Sequence, residues 1–212
     1  MIEIIPAIIA QSYEDFEKKV KAVEPYVNRV HLDIMDGVFV DSKTISGVEE
    51  LKKIDTPLGF GVHLMVQKPE LILNEWLETK ADLFFVHIES DVEINSFVNL
   101  VNLHGKQAGI VLNPESEIDR INGFAHMLSA VQFMTVNPGQ YGAYFIDGVL
   151  TKISVFHSKY PHVKIYVDGG INPGTIKRAI EAGATAIVAG GYIFNHPDGP
   201  ERAIEELKSS SN

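Results

Sequence analysis

Eight short runs rich in Val, Ile and Phe, amphipathic stretches between most of them, and polar residues or glycines where many runs finish predict an α/β fold, a single (β/α)8 TIM barrel spanning residues 1–212. Strand counting alone leaves an open doubly wound sheet equally available. The polar strand ends favour the barrel, because a closed barrel gathers all such ends on one face, where active sites of this fold are built.

The first run, Ile4 to Ile9, leads into Tyr13 to Glu24, where Phe16, Val20 and Val23 recur at helical spacing. Ser12, three residues before Asp15, opens this helix, and Pro25 stops it. The second run is Arg29 to Ile34 and the third Gly59 to Met65. Pro69 and Glu70 then open a helical segment ending near Lys80. The fourth run, Leu83 to Ile88, precedes a helical pattern over Phe97 to Leu103. The fifth, sixth and seventh are Ala108 to Asn113, Val131 to Val136 and Lys164 to Asp168. Asn172-Pro173 precedes a helix over Thr175 to Ala182 with Gly183 as its stop, and the eighth run is Ala184 to Ala189. No low-complexity linker divides the chain, and only Ser209 to Asn212 reads as a frayed tail.

Composition narrows the function. With 45% hydrophobic and 22% charged residues, the chain is neither disordered, collagen-like nor a coiled coil. A net charge of -10 argues against a nucleic-acid partner, yet backbone amides at helix N-termini can hold a phosphate locally. With no cysteine there is no disulfide and no thiolate metal site, so any metal is held by nitrogen and oxygen. No basic region precedes a long apolar stretch, and nowhere do about 18 apolar residues run together. A soluble cytoplasmic protein with no membrane partner is expected.

Side chains alternate across a strand, so His31 and Asp33 share one face, as do His63 and Met65, while Asp168 ends the seventh run. Two imidazoles and two carboxylates converging on a barrel mouth suit Zn, Mn, Fe or Co. Each residue alone is better explained by loop hydrogen bonds, and spacing does not establish a metal. Four together are harder to explain so, since burying Asp33 and Asp168 unpaired costs roughly several kcal/mol each. Five histidines, His104, His126, His157, His162 and His196, read as solvent-facing.

The segments His31-Leu-Asp-Ile-Met-Asp-Gly37, Val62-His-Leu-Met65, Met134-Thr-Val-Asn-Pro-Gly139 and Val167-Asp-Gly-Gly-Ile-Asn172, in this order, resemble ribulose-phosphate 3-epimerases from Pro6 to about Phe194. The resemblance implies one divalent metal ion (Zn, Fe, Mn or Co) on His31, Asp33, His63 and Asp168. It further implies 3-epimerisation of a ketose phosphate, with Asp33 and Asp168 passing protons on opposite faces of an enediolate. His63 belongs to the substrate-binding set as well. Met35, Met65 and Met134 match positions where thioethers line the reacting centre, and ordinary core packing explains them equally well. Gly169, Gly170, Gly190 and Gly191 suggest the phosphate site usual after strands seven and eight; tight turns would use the same glycines. Gly139, Gln140, Tyr141 and Gly142 would form its third wall. His87 also matches a family histidine and reads as support for a ligand. A homo-oligomer is implied by the resemblance alone.

The chain departs from the family where substrate is approached. Ala7 replaces a usual Ser, Tyr141 a glycine of the loop, Gly191 a frequent Ser, and Val40-Asp41-Ser42-Lys43 stands for Val-Pro-Asn-Leu. Ribulose 5-phosphate is the favoured substrate, with a related hexulose phosphate such as allulose 6-phosphate as alternative. A sugar-phosphate-binding barrel with weakened turnover, or an aldol-type or decarboxylating barrel, remain as other classes.

Overall fold

A computed structural model describes residues 2–139 and 142–211; Gln140 and Tyr141 lie outside the described residues. Eight parallel strands, β1 (Glu3–Ile8), β2 (Arg29–Met35), β3 (Gly59–Met65), β4 (Leu83–His87), β5 (Gln107–Leu112), β6 (Ala130–Met134), β7 (Lys164–Asp168) and β8 (Ala186–Ala189), close into a barrel in chain order. Around them run α1 (Tyr13–Val23), α2 (Val48–Lys53), α3 (Glu70–Leu77), α4 (Ile94–Leu103), α5 (Val149–Lys159), α6 (Pro173–Glu181), α7 (Gly191–Phe194) and α8 (Gly199–Ser210). After β5 the helix is replaced by two short 3-10 turns, Ile118–Ile121 and Ala125–Met127. No described helix is long and apolar enough to cross a membrane.

Strand periodicity sorts the interior into two cores. On β2, Val30, Leu32 and Ile34 face outward to pack with helices, while His31, Asp33 and Met35 face the lumen. The lumen is filled at its lower levels by Ile5, Leu83, Phe85, Val111, Ala130, Tyr166 and Ala186. The outer core takes Phe16, Phe60, Trp76, Phe84, Phe133 and Phe156, each worth about 1.5–3 kcal/mol on burial. One close approach sets the lumen floor: a Cβ on Gly109 would lie 2.4 Å from the Phe85 ring. Because Gly109 leaves that space, Phe85 sits under His31, their ring centroids 5.4 Å apart.

Helix boundaries follow their caps. The Ser12 hydroxyl accepts from the Asp15 amide at 3.2 Å, and α1 stops one residue before its cap Glu24, ahead of Pro25. Asn172 caps α6, accepting from the Gly174 and Thr175 amides at 2.8 and 3.2 Å. The third helix ends at Leu77 rather than near Lys80, because Thr79 bonds its hydroxyl to the Trp76 carbonyl at 2.7 Å and turns the chain. The sixth strand ends at Met134, two residues early. Thr135 instead bonds its amide to the Asp168 carbonyl at 2.8 Å and its hydroxyl to the Gly169 carbonyl at 2.6 Å, tying the ends of β6 and β7 together.

Candidate active site

Register places the polar residues side by side. Ala7 pairs with His31 across β1 and β2, Asp33 with His63 across β2 and β3, and Met134 with Asp168 across β6 and β7. One donor atom each from His31, Asp33, His63 and Asp168 lies within 4.8 Å of every other, and all four residues are buried. His63 Nδ1 is 3.1 Å from Asp33 Oδ1 and 3.8 Å from Asp168 Oδ2, and His31 Nε2 is 3.9 Å from Asp33 Oδ1.

This group fits a divalent cation. Among the described residues His31 Nε2 is buried without a hydrogen-bond partner, a costly state that a bound cation would relieve by taking its lone pair. Nitrogen and carboxylate donors at this spacing suit Zn, Mn, Fe or Co. Electrostatics point the same way. Burial first, and the nearby Asp33 second, hold the Asp168 carboxyl well above the ordinary carboxylate range. Burial, then His63 and Arg29, hold His31 well below the usual imidazole value. An added positive charge would relieve the strain between the carboxylates and leave both imidazoles neutral, as ligation requires.

Gln132, which the sequence did not mark, and Glu89, two residues after His87 at the polar end of the fourth run, complete the centre. Gln132, inward on β6, donates from Nε2 to Asp168 Oδ2 at 3.0 Å, and the same nitrogen lies 3.4 Å from His63 Nδ1. Its alternation with Ala130 and Met134 was the available signal. Glu89, beyond the end of β4, faces His87, whose other ring nitrogen reaches His63. His87 is fully buried, and burial pushes it down to about 4 despite the pull of Glu89.

Above the centre opens a cavity of about 520 Å³, within the range usual for small-molecule sites. Ala7, Met35, Met65 and Met134 line it near the four donors. Gly139, Gly142, Gly169, Gly170, Gly190 and Gly191 line it elsewhere, so the described glycines of the three expected walls share one cavity. Gly169 and Gly170 have positive φ, 114° and 62°, and a Cβ on Gly170 would meet the Phe145 amide at 2.7 Å. Gly190 has φ -105°, so its place before the short α7 does not rest on left-handed backbone. Arg178 also lines the cavity; it stacks 5.2 Å from the Phe145 ring and pairs with Asp147.

The 41–43 loop bridges the mouth. The Ser42 hydroxyl donates to the Gly139 carbonyl at 3.1 Å, and Val40 packs so tightly on Gly139 that a Cβ there would lie 2.9 Å away. His104, His126, His157 and His162 are exposed as expected. His196 is not: its side chain is 10% exposed, 3.4 Å from Glu206 and edge-on to Tyr192, because α8 folds back over the segment after α7.

A closed parallel barrel with a buried two-imidazole, two-carboxylate group at its strand ends defines a barrel enzyme with a candidate metal centre. Residues 3–194 match the ribulose-phosphate 3 epimerase family. The chain is 36% identical to the chloroplastic ribulose-5-phosphate-3-epimerase of Arabidopsis thaliana, covering 99% of this chain and 77% of that one. It is 34% identical to the ribulose-phosphate 3-epimerase of Bacillus subtilis, covering 99% and 100%. Among solved structures, a 3-hexulose-6-phosphate synthase superposes with a TM-score of 0.77 at 21% identity over the whole of both chains. The orotidine 5'-monophosphate decarboxylase of Sulfolobus solfataricus superposes at 0.69 with 13% identity, covering 100% of this chain and 98% of that one. At such identity these two establish the fold alone. The chain belongs to the ribulose-phosphate 3-epimerase family, and it is an isomerase acting on carbohydrate phosphates.

Proposed function

We propose that the chain is a metal-dependent ketose-phosphate 3-epimerase that interconverts ribulose 5-phosphate and xylulose 5-phosphate. The observation that carries this reading is the placement of Asp33 on β2 and Asp168 on β7, in different parts of the ring yet with donor atoms within 4.8 Å. Inversion at a carbon needs a proton removed on one face and returned on the other, so two carboxyl groups from separate strands suit it. His31, Asp33, His63 and Asp168 would hold the cation, which when bound supplies positive charge beside the developing enediolate.

The protein's own groups divide the remaining work. Burial and the neighbouring Asp33 raise the Asp168 carboxyl, which favours its protonated form, and Gln132 orients it. Asp33 then takes the proton from C3 on one face while Asp168 delivers to the other, with roles exchanged in reverse. Met35, Met65 and Met134 wall the reacting carbon from water without offering hard donors. Gly142, Gly169, Gly170, Gly190 and Gly191 leave room for a phosphate at the end of the barrel where such groups usually bind.

NMR of metal-loaded protein with ribulose 5-phosphate in D2O tests this directly. Deuterium should enter at C3 as xylulose 5-phosphate appears. Binding without exchange would favour a non-turnover sugar-phosphate barrel, and exchange only with allulose 6-phosphate would move the substrate to a hexulose.

A further inference from the structure

Behind His63 runs a chain of hydrogen bonds whose direction is fixed at its far end. Glu89 Oε1 accepts from the Ser116 hydroxyl and from the Asn113 amide at 3.2 Å, with the Arg120 guanidinium 3.8 Å away. Glu89 Oε2 lies 3.3 Å from His87 Nδ1. A carboxylate supplied with donors in this way only accepts, so His87 Nδ1 is the donor. A buried neutral imidazole has a single N–H, which leaves His87 Nε2 an acceptor. That atom is 2.8 Å from His63 Nε2, which must therefore carry the proton. His63 Nδ1 is left with a bare lone pair, 3.1 Å from Asp33 and 3.8 Å from Asp168. The reverse arrangement would set a lone pair of His87 against a Glu89 oxygen.

We propose that His87 and Glu89 are positioning residues that set the tautomer of His63 and thereby fix Nδ1 as its metal-ligating atom. The inference rests on reading the four donors as a metal centre. Two further contacts agree with it. The Gln132 amide nitrogen, anchored on Asp168, approaches the same Nδ1 at 3.4 Å, as a donor to a lone pair would. The His63 and His87 rings are inclined by only 24°, with centroids 4.9 Å apart, and Phe39 closes over His87 at 4.7 Å. The two histidines are thus shielded from water, and the relay has one sense. A lone pair aimed between two carboxyl groups is unfavourable until a cation, or a proton on one carboxyl, lies among them.

The test reads the tautomers and the metal separately. Long-range 1H–15N NMR of metal-free protein should place protons on His63 Nε2 and His87 Nδ1. An unprotonated His63 Nε2 overturns the relay, whatever the metal does. In cobalt(II) titrations against a competing chelator, His87→Leu should weaken binding roughly 10–100-fold and alter the visible cobalt bands. His87→Gln should restore both, since its amide can accept from His63 and donate to Glu89. Unchanged affinity and bands in His87→Leu would also overturn the proposal. If His87→Leu does not fold, the spectra of the unsubstituted protein decide. Failure of that protein to bind cobalt at all refutes the metal centre itself, and the metal-free spectra distinguish that result from failure of the relay.

Discussion

Replacing Asp168 with Asn should stabilise the metal-free protein while abolishing its response to metal. The acidic donor atoms of Asp33 and Asp168 fall within 4.8 Å, where two full negative charges repel by about 3 kcal/mol at an effective dielectric near 20. Asparagine keeps a carbonyl for the Gln132 amide, now 3.0 Å from Asp168 Oδ2, so that hydrogen bond survives. Allowing for imperfect fit, the net gain is about 1–3 kcal/mol, or roughly 2–4 °C in Tm per kcal/mol for a chain of this size. The sign with pH follows from the raised carboxyl. Its neutral form is favoured in the fold, so that stabilisation is fully present below the ordinary carboxyl range and is lost as pH rises through the raised value. The advantage of Asp168→Asn must therefore open toward alkaline pH and close in acid. Urea unfolding of chelator-treated proteins, followed through the single tryptophan, Trp76, measures it. Cobalt should reverse the order by stabilising only the unsubstituted protein. A variant less stable at every pH, or a gain that does not shrink on acidification, refutes the repulsion.

Other perturbations test other parts of the molecule. In the Asp168→Asn background, metal-free protein should lose stability as pH falls below about 6.5, because buried His31 and His87 take protons on unfolding; His87 alone, held at about 4, accounts for about 3 kcal/mol. Equal urea midpoints at pH 7 and pH 5 would contradict burial as the cause. Gly109→Ala should cost about 1–3 kcal/mol by driving Phe85 toward His31, and should weaken metal binding as well. A calorimetric scan indistinguishable from the parent would show that the floor can yield. Gly170→Ala, strained at φ 62° and set against Phe145, should raise KM for the sugar phosphate more than it lowers kcat. An unaltered KM would place the phosphate elsewhere.

The barrel and its four buried donors were legible because strand periodicity is local: His31, Asp33 and Leu32 declare their faces within three residues. The end of α3 was not, since Thr79 turns the chain through a side-chain bond that competes with the helical pattern. Gln132 was not legible because its alternation with Ala130 and Met134 gives only its face; closure of the barrel brings it against Asp168 and His63. The sense of the Glu89 relay depends on Ser116 and Asn113 from a different βα unit, a tertiary fact no local window contains. Arg178 reads as an ordinary helical cation until Phe145 and Asp147 fold over it.

Because β2 carries His31 and Asp33 between Val30, Leu32 and Ile34, each reacting group is bolted on both sides to residues wedged under the helices. None of them can loosen without prying a stave out of the ring, so amide hydrogens along this strand should exchange only when the whole protein opens. Catalytic lifetime on heating then equals the lifetime of the fold. Any adaptation to a longer or shorter sugar falls to the tips at Ser42 and Gly139, which lean on each other.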